Sequence, residues 1–184
     1  MVDGSRWLAD VDAHPGEARG LARRVLGRLT AAGIVMGDPT ECVLGDVSGG
    51  YAPGPAHLSV VCGGPGGFPD VWPNGLEIDV GRTAFYGPIG EGDRVACPHC
   101  AAWLPFEAVA PVVGDWADEG GPGALACARC ARRAGFNEWC WPVPCAFAEL
   151  GLRFWNWPPL SEAFVRDLAG CLGHRLVAGR SGSL

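Results

Sequence analysis

The stretch FAELGLRFWNWPPLSEAFVRDLAGCLGHRLVA, residues 147–178, reads as strand, helix and strand in succession, and that reading decides the fold class. Phe147 to Trp157 is rich in large apolar side chains and ends at Pro158 and Pro159, which bar a helix from starting earlier. Ser161 is a capping residue, Glu162 suits the positive end of a helix, and Gly173 is placed to terminate it. Phe164, Val165, Leu168, Cys171 and Leu172 form the inner face, and Arg175 to Ala178 returns as a strand. The amino-terminal half repeats the theme. From Gly16 to Ala32 the apolar Ala18, Leu21, Ala22, Val25, Leu26 and Leu29 recur at helical spacing, with Arg19, Arg23, Arg24 and Arg28 on the other side. Pro15 suits the first turn and Gly33 a left-handed end. Further strands are expected at Glu41 to Val47, His57 to Cys62, Leu76 to Val80 and Thr83 to Tyr86. The sum is an α+β class with a mixed sheet and both helices on one face, for which a ferredoxin-like arrangement is the nearest simple template.

Between the two halves lies a Cys-rich segment, about Val95 to Cys145, expected as a lobe inserted into one domain spanning residues 1–184. A chain of this length and 19.2 kDa can bury a core without disulfides. Apolar residues at 48% against 18% charged exclude a disordered chain, while 29 Gly and 16 Pro predict short elements and many turns rather than a helical bundle. All 14 basic residues are Arg. With no Lys, the chain excludes P-loop and protein-kinase lysines, Schiff-base lysines and Ser-Lys nucleophile pairs. The lack of Lys and Gln beside abundant Gly, Ala, Arg and Pro points to a GC-rich bacterial genome.

Met1 to Asp12 holds three Asp and one Arg, the reverse of a basic secretory start. No apolar run approaches the roughly 18 residues of a membrane span, so a soluble, cytoplasmic protein without a membrane partner is expected. In a reducing compartment nine cysteines, an odd number, do not form a disulfide framework.

Cys97-Pro98-His99-Cys100 and Cys127-Ala128-Arg129-Cys130 are two Cys-x2-Cys units separated by 26 residues. Two intervening residues let a tight turn aim both sulfurs at one ion, and two such turns complete a tetrahedral site. Residues 95–133 thus resemble a zinc ribbon, and the resemblance implies a structural Zn²⁺ held by Cys97, Cys100, Cys127 and Cys130, with no open position for catalysis. The residues after the knuckles, Ala101 and Ala131, depart from the Gly that a left-handed turn favours, at about 1–2 kcal/mol. A second ligand set, Cys127, Cys130, Cys140 and Cys145, is less suited because its Cys-x4-Cys turn contains Pro142 and Pro144. Arg94, Arg129, Arg132 and Arg133 flank the knuckles, where they offset a doubly negative Zn(Cys)4 centre or else contact phosphate. The net charge of −6 favours the first role and makes nucleic acid a less favoured partner.

Alternation through Leu152-Arg153-Phe154-Trp155-Asn156-Trp157 puts Leu152, Phe154 and Asn156 on one face and Arg153, Trp155 and Trp157 on the other. The strand is either buried on both sides or a binding ledge. With Tyr51 and Trp72 on turn-rich backbone, and Gly63 to Phe68 beside them, Trp155 and Trp157 are the candidate partner-binding residues. Catalytic signals are sparse. No zinc-protease, hydrolase or dinucleotide motif is present. Of the four histidines, His57 starts an expected strand, His99 lies inside a knuckle, and His14 and His174 flank helices; Glu77 and Asp79 share a strand face, and Asp115, Asp118 and Glu119 are expected in an insertion loop. No catalytic residue is therefore assigned. The expected function is a non-enzymatic cytosolic binding protein with a protein partner. In size, charge and composition alone it resembles toxin-neutralising bacterial immunity proteins. Alternatives are an enzyme working in the aromatic loops with zinc only as scaffold, and a nucleic-acid-binding ribbon protein. The sequence carries no signal for oligomeric state.

Overall fold

The computed structural model describes residues 4–44, 49–63 and 70–182. The elements run β1 (Gly4–Asp10), α1 (Pro15–Ala31), β2 (Val35–Thr40), β3 (Gly50–Pro53), β4 (Gly75–Tyr86), β5 (Arg94–Ala96), β6 (Trp103–Pro105), α2 (Phe106–Glu119), β7 (Ala124–Ala126), β8 (Arg133–Gly135), β9 (Cys145–Trp155), α3 (Glu162–Leu172) and β10 (Leu176–Gly182). Six strands form the main sheet in the order β10-β1-β9-β4-β3-β2. The class is α+β. Every pairing in this sheet is antiparallel, which corrects the expected mixed sheet. Element order β1-α1-β4-β9-α3-β10 follows a β-α-β-β-α-β path with its strands standing β10-β1-β9-β4. β2 and β3 lengthen that sheet to six strands, beyond a four-stranded template.

Helix α1 begins at Pro15, and Gly33 turns the chain at φ 67°. Ser161 caps α3 by accepting a hydrogen bond from the Phe164 amide, and Gly173 closes it at φ 75°. Both helices lie on one face of the sheet. Val25 and Leu29 of α1 and Phe164 and Leu168 of α3 share a core with Leu8, Leu76, Leu150, Leu152 and Phe154 from the strands.

The other face encloses a second core of Trp7, Ala9, Phe85, Ala146 and Ala148. A bulge between Val80 and Thr83 lets β4 bend. The sheet coils far enough for Ser181 of β10 to donate to the Tyr86 carbonyl of β4 at 2.7 Å, although two strands separate them in the sheet. Trp7 and Phe85 are fully buried inside the curl, their rings 5.7 Å apart. A Cβ at Gly179 would strike the Trp7 ring, and one at Gly151 the Phe85 ring, so both positions need glycine for close approach.

Several boundaries move. Leu76–Val80 and Thr83–Tyr86 are one strand joined through the bulge. His57–Val60 is a 3-10 turn, not a strand, and Val61 makes only an isolated bridge to Leu160. Glu41 to Leu44 carries no strand; its place is taken by β2 just before it, while residues 45–47 lie outside the described set. Residues 64–68 of the expected aromatic loop also lie outside it. Helix α2 replaces the expected insertion loop: Asp115, Asp118 and Glu119 sit on its last turns. Val109 and Trp116 form its buried side, and exposed Pro111 is tolerated in its middle. Among the described residues no helix is long and apolar enough to cross a membrane.

Candidate metal centre

The segment between β4 and β9 presents two small hairpins, β5–β6 and β7–β8, and each knuckle is the turn of one hairpin. The two are structural copies. Ala96 pairs with Trp103 and Ala126 with Arg133, the same seven-residue offset around each turn. In the first, the Ala101 amide donates to the Cys97 carbonyl at 3.0 Å and the Cys97 amide to Ala102 at 2.9 Å. In the second, the Ala131 amide donates to Cys127 and the Cys127 amide to Arg132, both at 2.9 Å. Ala101 and Ala131 hold φ of 55° and 57°, the left-handed conformation expected at these positions despite the absence of glycine.

The turns bring four sulfurs together. Sγ of Cys97 lies 3.9 Å from that of Cys130, Sγ of Cys100 lies 3.6 Å from that of Cys127, and all four fall within 4.8 Å of one another. A tetrahedral ion with bonds of about 2.3 Å to sulfur requires sulfur separations of about 3.8 Å. The donor set therefore fits a single metal ion. Cys97 and Cys127 are buried and Cys100 and Cys130 half-buried.

Without an ion the thiols are unequal. The backbone amide of Cys130, aided by that of Arg129 and by the Cys100 and Cys97 thiols against the cost of burial, draws Cys127 down to about 6. At Cys100 the Ala102 amide favours the thiolate, but burial and the neighbouring sulfurs outweigh it and push the thiol up to about 11. The His99 amide donates to Cys97 Sγ at 3.4 Å, and the His99 ring turns to the Arg133 carbonyl, away from the sulfur group. Cys140 and Cys145 are outside the four-thiol group. Cys140 instead forms a two-hydrogen-bond bridge with Ala96, and burial raises the Cys145 thiol to about 12.

Behind the hairpins, Trp116, Phe136, Trp141 and Phe147 stack into a small aromatic core. Phe147 belongs to β9, so this core joins the lobe to the sheet. Two polar clamps reinforce the joint. Asn137 exchanges both amide hydrogen bonds with the Phe147 backbone at 2.8 and 2.9 Å. Arg82 of β4 donates to the carbonyls of Trp116 and Gly121, capping the carboxyl end of α2, and also pairs with Glu149 at 3.4 Å. An Asn and an Arg among polar neighbours give no sequence signal for such a role. Arg94, Arg129, Arg132 and Arg133 are exposed and have no carboxylate partner among the described residues.

The aromatic candidates separate. Trp72 is 62% exposed, with its indole N–H fixed on the Glu41 carbonyl at 2.8 Å. Tyr51 is half-buried against the helix-side core. Trp155 donates to Glu77 at 2.7 Å, and beside it Arg153 pairs with Asp79 at 2.8 Å and lies over the Phe85 ring. Burial raises the Asp79 carboxyl against the opposing pull of Arg153. Trp157 is only 1% exposed and packs 5.1 Å from Phe154, so its ring is not available to a partner. Alternation fails there because Asn156 adopts φ 55° and turns the chain, rotating Trp157 into the core it was expected to face away from. His174 Nδ1–H donates to the buried Asp10 carboxylate at 2.9 Å, a hydrogen bond that raises the His174 pKa.

No protein-family model matches the chain, and no curated protein or solved structure matches it.

Proposed function

We propose that Cys97, Cys100, Cys127 and Cys130 hold one structural Zn²⁺, and that the chain is a non-enzymatic binding protein whose partner is another protein. Convergence of four sulfurs at separations suited to a tetrahedral ion carries the first half of the reading. A tetrahedral set of four thiolates suits Zn²⁺ or iron; Zn²⁺ is the structural ion such paired Cys-x2-Cys knuckles hold, and a filled sulfur shell leaves no site for an activated water. The knuckle arginines then serve to offset the negative centre, since no carboxylate among the described residues engages them.

The protein-partner half is supported by Trp72. A tryptophan held in place by its own N–H, with most of its ring in water, has the chemistry of an interface anchor at little ordering cost. Affinity isolation from cells that express the chain natively tests it, comparing wild type with Trp72→Ala. The expected result is one stoichiometric protein held by the wild type and lost in the variant. A partner retained equally by Trp72→Ala, or nucleic acid as the stoichiometric component, overturns the reading.

A further inference from the structure

At the β10 edge of the sheet, remote in sequence from the cysteine hairpins, a cavity of about 450 Å³ opens between β1, β10 and the start of α3. That volume suits a small organic molecule. Leu8, Leu160 and Val165 give it an apolar wall. Arg6 and Arg180 also line it, and they are direct partners in the β1–β10 register. Like charges directly opposite one another destabilise a sheet unless something answers them. Nothing does: neither arginine has a carboxylate or hydrogen-bond partner among the described residues, in a protein with a net charge of −6.

Beside the cavity the Arg6 Nε donor is buried and lacks an acceptor among the described residues. A buried guanidinium donor without an acceptor is costly, and native structures rarely leave one unanswered. Burial, and then the neighbouring Arg180, hold the Arg6 pKa below its ordinary value, the direction of a cation short of a counter-charge.

We propose that this cavity is a binding site for a small organic anion, with a carboxylate or phosphate head held by Arg6 and Arg180 and an apolar body against Leu8, Leu160 and Val165. Guanidinium groups suit both heads through paired N–H donors. The site is independent of the zinc reading and of the Trp72 surface.

Nitrogen-15 NMR of the arginine Nε–H groups tests it on the full, metal-loaded chain. The probes are benzoate, phenyl phosphate and neutral benzyl alcohol. The Arg6 signal is expected to shift saturably with at least one anion and not with the alcohol, and the stronger anion identifies the head group. Arg180→Gln, at an exposed position of an edge strand, should weaken that anion about tenfold or more. It should not lower the melting temperature of the ligand-free protein, because it removes a like-charge pair. No saturable shift with either anion, equal binding of benzyl alcohol, or undiminished binding to Arg180→Gln each overturns the proposal.

Discussion

Strands β4 and β9 are 12 and 11 residues long and are covered by two helices, whereas each of the four strands in the cysteine hairpins is three residues long. The sheet body is held by a continuous apolar core reaching from Leu8 to Leu172. Isolated hairpins of three residues a side are marginal in water, and their turns here also carry left-handed alanines. The lobe therefore depends on the sulfur cluster and on the aromatic joint at Phe147. The two regions thus offset backbone entropy differently: by buried area where the strands are long, and, on the metal reading proposed above, by coordination at the sulfur cluster where they are short.

The largest test of this contrast is metal removal. A structural zinc contributes roughly 10–16 kcal/mol of apparent affinity in small fingers, so a strong chelator, or Cys130→Ser, should abolish amide-exchange protection in β5 to β8. Protection in β1, β4 and β9 should survive. Simultaneous loss in both regions would show that the body depends on the lobe, and the contrast would fail.

A smaller effect probes the body alone. Gly151→Ala places a methyl group against the buried Phe85 ring, an overpacking that costs about 1–3 kcal/mol. Denaturant unfolding should register that loss with zinc stoichiometry unchanged. A neutral Gly151→Ala would mean that the curled sheet opens easily around Phe85.

The smallest effect has the opposite sign. Ala101→Gly and Ala131→Gly remove left-handed strain of about 1–2 kcal/mol each, partly offset by the flexibility glycine adds to the unfolded chain. Each variant should slow zinc release and leave the body's stability unchanged. Faster release from either would contradict the strain assigned to these turns.

How much of this was legible depended on whether local pattern and tertiary role agreed. Helices α1 and α3 have uninterrupted apolar stripes and ordinary caps, and both lie where those signals put them. Helix α2 has Pro111 and Gly114 in its middle, and acidic residues at its carboxyl end, where they oppose the helix dipole. Its stability comes from Trp116 packing and from Arg82 reaching across from β4, neither of which is local. Strand β1 is covered on both faces, so Trp7, Leu8 and Ala9 form an apolar run without alternation. The four-thiol cluster was legible because two short turns encode it entirely. Asn156 shows the limit: one left-handed residue reverses the facing of Trp157, and no pattern of hydrophobicity announces it.

Zinc-edge X-ray absorption on the protein purified under reducing conditions bears most directly on the sulfur cluster. About one zinc per chain is expected, with four sulfur neighbours at about 2.3 Å and no nitrogen or oxygen in the coordination shell. A shell containing a light-atom ligand, a shell with fewer than four sulfurs, or protein that folds its hairpins without retaining zinc would contradict this expectation.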